Sequence, residues 1–193
     1  MGRPATHTVD SFLDAATRLF AEGGARAVTM AAVARETGAP SGSVYHRFAD
    51  RPALFAALWL RTVRRFEDGV LTAIESVPAA DAAVVAATWA IEWSRENLGE
   101  AIVLYAGPQA FSPDTWSAEA QAELAEHDRG RDRTLAALVK KLSAGGVPAD
   151  EISLVMFDLP YAVMGRYLGR GEAPPARARD LVARVAAKVV APR

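Results

Sequence analysis

Residues Val28 to Phe48, VTMAAVARETGAPSGSVYHRF, decide how this chain is read. Thr29 suits an N-cap, its hydroxyl able to accept from a free backbone N–H of the next turn. Met30, Val33 and Ala34 then fall at i, i+3 and i+4 and give a short helix one apolar face. Gly38 follows that face and can end the helix in the left-handed conformation. Pro40 suits the first position of a second helix, where its missing N–H costs nothing. In that helix Val44 and Phe48 are one turn apart and point inward. Tyr45, His46 and Arg47 therefore point largely outward, beside Ser41 and Ser43. A helix, a tight turn and a short second helix with a polar outer face is the layout of a helix-turn-helix, whose second helix enters the DNA major groove. A polar helix face is often only solvated, but Gly42 argues for more. Glycine in a helix interior costs roughly 1 kcal/mol relative to alanine, and a close approach of backbone to a partner accounts for it.

Composition frames this reading. The chain has 193 residues, enough for one large domain or two small ones, and 51% are apolar. No apolar run reaches the roughly eighteen residues of a membrane span. The opening MGRPATHTVD lacks the apolar segment of a signal peptide. Cysteine is absent, so there is neither a disulfide frame nor a thiolate metal site. A cytoplasmic protein without metal or cofactor is expected. The net charge of −1 argues against a nucleic-acid binder, but the distribution of charge points the other way. Residues 1–65 hold nine arginines against five carboxylates, whereas residues 66–193 hold thirteen basic against eighteen acidic side chains. Phosphate binding needs only a local basic surface, and the basic third contains the helix-turn-helix.

The rest of the chain reads as helix, with no period-two alternation and no Asn-Gly hairpin turn. Helices are expected at about 8–22, where Gly23-Gly24 stops the first, then through the helix-turn-helix, then from an Asp50 cap to Pro78. Further helices fall at 81–97, 99–107, 115–143, 149–169 and 175–190, about nine in all. The fold class is all-α: an N-terminal three-helix DNA-binding domain over 1–50 and a helical domain over 51–193. The polar run 126–133 interrupts the apolar face of the long helix and reads as a solvated or inter-subunit stretch.

The segment from about Phe12 to Leu58, carried by AATRLFAEGGARAVTMAAVARETG and SGSVYHRFADRPALF, resembles the DNA-binding domain of the tetracycline-repressor (TetR) family of bacterial transcriptional regulators. Length and the all-helical remainder fit that family as well. The resemblance implies phosphate contacts for Thr29, Ser43 and Tyr45. It places Pro40, Ser41, Gly42 and His46 on the part of the recognition helix that faces the groove. Arg51 stands where the family usually has a phosphate-binding lysine, and arginine can keep that role. Pro40 and Ser41 occupy positions where the family often has a hydroxyl residue followed by a long side chain. That leaves His46 and Arg47 as the longer groups, and Arg47 can reach either a guanine edge or a phosphate. The operator is not legible from these residues.

The family also implies an effector-binding and dimerisation domain over 51–193. The helix at 149–169 has two apolar faces, one of Ile152, Val155, Met156, Leu159 and Val163, the other of Leu154, Phe157, Tyr161, Met164 and Leu168. A helix apolar on two sides must be covered on both. By resemblance, it and the helix at 175–190 form a four-helix bundle with the same pair of a second subunit; burial within one subunit is the alternative. A homodimer also suits half-sites roughly 34 Å apart on a double-stranded DNA operator.

Aromatic residues concentrate in this domain: Trp89, Trp93, Tyr105, Phe111 and Trp116, with Phe157 and Tyr161 on the facing helix. They read either as ordinary core or as the wall of an apolar cavity for a small-molecule effector. Asp158 lies between the two apolar faces and can meet a ligand, pair with an arginine such as Arg166, or reach solvent. Pro160 removes a backbone hydrogen bond and predicts a kink. The expected function is a ligand-responsive transcriptional regulator, a repressor released from a palindromic operator by a small, largely apolar effector. An effector-insensitive regulator of the same fold is the alternative. His127 beside Asp128 and Asp132, or His46 with Tyr45, has no metal-ligand or nucleophile–base spacing, so no catalytic residues are assigned.

Overall fold

Thr8 opens the first helix by exchanging hydrogen bonds with Ser11, each side chain accepting from the other's backbone N–H. The computed structural model describes residues 7–191; the first six residues, with the start of MGRPATHTVD, and the last two lie outside it. Helix α1 spans Val9–Ala27 but breaks where expected, at Gly23 and at Gly24 with φ +63°, before a last turn is added. Helix α2 is Met30–Thr37 and α3 is Ser41–Arg47. Asp50 caps α4 (Arg51–Glu75) by accepting from the Ala53 N–H. Helices α5 (Ala79–Glu96) and α6 (Leu98–Ala106) follow.

The chain then reverses at Gly107, with φ +73°, into 3-10 turns at Pro108–Phe111 and Pro113–Thr115. Because of those turns α7 begins at Ala118, capped by Ser117, rather than near 115, and runs to Ser143. Helices α8 (Ala149–Ser153) and α9 (Leu159–Leu168) are joined by a π turn over Leu154–Asp158, and α10 is Ala176–Val189. The joined α8 and α9 count as one rod, so the described residues form nine helical rods.

Three cores hold these rods. The first packs Phe12, Phe20, Val33, Val44 and Phe48 of α1–α3 and their connections against Leu54, Phe55, Leu58 and Trp59 of α4. The DNA-binding helices are thus seated on the first half of α4. A second core joins α5 to the C-terminal helices. Ala82, Ala83, Ala86 and Ala87 present small side chains to Ile152, Val155, Val182 and Ala186, which lets helix axes approach closely. The third, between them, centres on Trp93, Ala101 and Leu168.

Helix α7 buries none of its side chains fully. The 126–133 run is solvated and laced by i,i+3 pairs such as Glu126–Arg129 and Asp128–Arg131, apart from His127, which turns inward to Glu67 of α4 at 2.9 Å. The kink foreseen at Pro160 takes the form of the π turn. The Leu159 N–H reaches back five residues to the Leu154 carbonyl, so an added residue is taken up just before the proline. Among the described residues no helix is long and apolar enough to cross a membrane.

Candidate DNA-binding face and effector cavity

The helix-turn-helix is built as its sequence dictates. The Thr29 hydroxyl accepts from the Ala32 N–H at 3.0 Å, and Gly38 takes φ +66°. Pro40 occupies the N-cap, with ψ still extended at 136°, so Ser41 rather than Pro40 is the first helical residue. Val44 and Phe48 are buried against Phe12 and the rest of the first core, with the Phe12 and Phe48 rings 6.5 Å apart. Their burial fixes the rotation of α3. Pro40, Ser41, Gly42, Tyr45, His46 and Arg47 are exposed together, and Ser43 is half-buried. Tyr45 is 56% exposed, high for an aromatic side chain. A Cβ added at Gly42 would meet nothing within 4 Å, so no packing inside the chain calls for glycine there.

Arg51 stands apart from this set. Its guanidinium donates to the Val28 carbonyl at 2.8 Å and to the Ala25 carbonyl, and lies 4.4 Å from the centre of the Phe55 ring. The expected phosphate ligand is turned inward, tying α4 to the connection between α1 and α2.

Of the aromatic group in the second domain, the structure brings together Trp93, Tyr105 and Tyr161. With Phe66, Leu104 and Met164 they line a cavity of about 150 Å³ between α4, α5, α6 and α9. Trp89 forms a layer behind it, against Phe66 and Trp93, with ring centroids 5.3 Å and 6.1 Å away. Phe111 and Trp116 are elsewhere, because the reversal after α6 carries them beneath the first half of α4. There Phe111 is fully buried among Phe20, Phe55 and Trp59, and the Trp116 indole N–H donates to its carbonyl at 2.9 Å. Phe157 packs on the second core, and Asp158 reaches solvent. Phe66, on α4, is absent from the expected aromatic group, and Leu104 and Met164 are wall residues that an aromatic count overlooks.

A larger open groove of about 500 Å³ runs between α4 and the start of α7. Its cations are already neutralised: Arg61 meets Asp14 at 2.8 Å, Arg65 meets Glu100 at 2.7 Å, and Arg64 meets Glu123. Charge pairing of that kind braces helices and leaves no surplus for a ligand. Glu100 is on the same short helix as Leu104 and Tyr105, so cavity wall and brace share α6.

An all-helical chain whose N-terminal core presents the exposed face of a short helix after a tight turn has the architecture of a helix-turn-helix DNA-binding protein. Residues 12–58 match the model of bacterial regulatory proteins of the tetR family, so the N-terminal part of the chain carries that family's DNA-binding domain. No curated protein matches the chain in sequence. Solved structures show the same fold over its whole length. The fatty acid degradation regulator FadR from Bacillus halodurans is 16% identical, with a TM-score of 0.72 over 99% of this chain and 97% of that one. A TetR family transcription regulator from Marinobacter aquaeolei VT8 is 19% identical, with a TM-score of 0.70 over 96% of both chains. AibR, solved in complex with isovaleryl coenzyme A and operator DNA, is 16% identical, with a TM-score of 0.71 over 96% of this chain and 99% of that one.

Proposed function

We propose that this chain is a repressor that holds a palindromic operator as a homodimer in the cytoplasm and is released by a small, largely apolar effector. The observation that carries the reading is α6. It supplies Leu104 and Tyr105 to the cavity and Glu100 to the brace with Arg61 and Arg65, while Arg61 holds Asp14 of the DNA-binding domain. An effector that fits the cavity better when α6 is displaced biases that brace, and through it the position of α1 and α3. It acts only as far as it binds the displaced state more tightly. AibR, crystallised with both a small ligand and operator DNA, supports the same division of labour.

Dimerisation is supported by the outward face of the C-terminal helices. Leu154 is 48%, Tyr161 58% and Leu181 38% exposed on these helices, and a surface for a second subunit would use large apolar side chains of this kind. The DNA-facing set is Thr29, Ser41, Gly42, Ser43, Tyr45, His46 and Arg47, with Pro40 at the edge of the groove.

Selection of bound sequences from random duplex DNA, followed by titration at two salt concentrations, tests the reading. A palindromic consensus whose affinity falls steeply with salt is expected. Tyr45→Ala then weakens binding to all sequences by a similar factor, as a phosphate contact does. No enrichment, before or after unfolding and refolding to strip any bound ligand, overturns it.

A further inference from the structure

We infer that the cavity between α4, α5, α6 and α9 takes an uncharged molecule of ring size with one hydrogen-bond-accepting atom; this rests on the ligand-responsive reading above. Size comes first. An apolar cavity of about 150 Å³ is filled by benzene, and the space here, open to solvent beside the exposed Tyr161, seats about six to nine non-hydrogen atoms. Charge comes second. No residue lining the cavity is ionisable near neutral pH, and an ion entering it would lose its hydration without gaining a partner. The guanidiniums of Arg61 and Arg65, on the preceding turns of α4, are held by Asp14 and Glu100.

Shape and polarity complete the description. Phe66, Trp93, Tyr105 and Tyr161 offer ring faces and edges, with the two tyrosine rings 5.6 Å apart, and aromatic walls of this kind favour a ring as guest. The Ser94 hydroxyl is taken up by the Ala90 carbonyl at 2.8 Å. The Trp93 indole N–H and the Tyr105 hydroxyl make no hydrogen bond among the described residues, and neither atom is sealed from solvent. Both residues line the space, so these free donors are available to an acceptor on the guest. Of a coenzyme A thioester, the ligand class seen with AibR, this space holds no more than the acyl end, and no lining residue offers its phosphates a cation.

Calorimetry on the full chain with phenol, toluene, benzoate and isovaleryl coenzyme A tests this, alongside release of the selected operator. Phenol is expected to bind most tightly and toluene less so, with benzoate at least about tenfold weaker than phenol and no heat from isovaleryl coenzyme A. Ala101→Leu, which fills the space, removes phenol binding while a thermal melt shows the chain still folded. Leu168→Ala, which enlarges it, keeps phenol and admits 2-naphthol. Benzoate or isovaleryl coenzyme A binding more tightly than phenol, or no phenol binding to either the natural chain or Leu168→Ala, overturns the inference. Operator release by isovaleryl coenzyme A without phenol binding overturns it and leaves the ligand-responsive reading standing. Phenol binding that Ala101→Leu abolishes, without operator release, supports the cavity's ligand class and overturns the regulatory reading.

Discussion

Arg61 of α4 and Asp14 of α1 meet at 2.8 Å, and the guanidinium is largely buried while the carboxylate is half exposed. The same guanidinium lies 4.0 Å from Glu100 of α6 and 3.4 Å from the Thr17 hydroxyl. It is a three-helix junction between the DNA-binding core and the helix that walls the cavity. Arg61→Met should lower stability by about 1–2 kcal/mol, between the values of an exposed and a buried pair. Urea denaturation of Arg61→Met, Asp14→Asn and the double variant measures the coupling directly. A coupling indistinguishable from zero would reduce the junction to a surface contact.

Gly42 separates folding from binding. Space around it is open, so Gly42→Leu should leave the melting temperature unchanged or raise it, since leucine is the better helix former by up to about 1 kcal/mol. Operator affinity should fall by at least about tenfold, because on the proposed DNA-binding face the added side chain would keep the helix from the DNA backbone. An unaltered affinity would mean the recognition helix does not come that close.

The outward apolar face predicts its own loss of function. Tyr161→Glu combined with Leu181→Arg should yield a folded monomer by sedimentation, with the operator bound only weakly as single half-sites. A dimer surviving both substitutions would place the interface elsewhere.

Gly69 makes room for an indole. A Cβ there would come within 2.4 Å of Trp89 Cζ2, and Trp89 cannot retreat freely because Phe66 and Trp93 pack against it. Gly69→Ala should cost about 1–3 kcal/mol through overpacking and alter the near-ultraviolet circular dichroism of the tryptophans. A silent spectrum would show that the ring has another resting place.

Burial pushes the Glu67 carboxyl above its ordinary value, opposed by His127 and Arg131 beside it. A carboxyl whose value is raised on folding lends stability when protonated. That contribution is complete below the unfolded value and is lost as pH rises through the folded one. Glu67→Gln keeps a hydrogen-bonding group for His127 and removes this loss. Its stability relative to the natural chain should therefore grow from pH 4 to pH 7 in urea titrations, and an opposite trend would make the attraction of His127 and Arg131 the larger effect.

The recognition helix was legible because its rotation depends on two side chains one turn apart, Val44 and Phe48, and local periodicity reveals such pairs. Caps at Thr29 and Asp50 and the left-handed Gly38 were legible for the same reason: each is a contact within four residues. The aromatic group was only partly legible. Trp93, Tyr105 and Tyr161 converge, but Phe111 and Trp116 are carried off by a reversal at Gly107 and two 3-10 turns, which leave no periodic trace. Arg51 shows another limit, since spacing places a guanidinium on a helix without saying whether it turns to solvent or back onto carbonyls such as that of Val28.

The π turn at Leu154–Asp158 lets the rod of α8 and α9 carry one residue more than an ordinary helix would hold. A chain one residue shorter there would relax to an α-helix while Tyr161, Met164 and Leu168 kept their present faces at the cavity. A residue lost within α9 itself would instead turn every side chain beyond it by about 100° around the axis. Length can therefore drift by one residue at this turn without disturbing the cavity wall, and nowhere else along the rod.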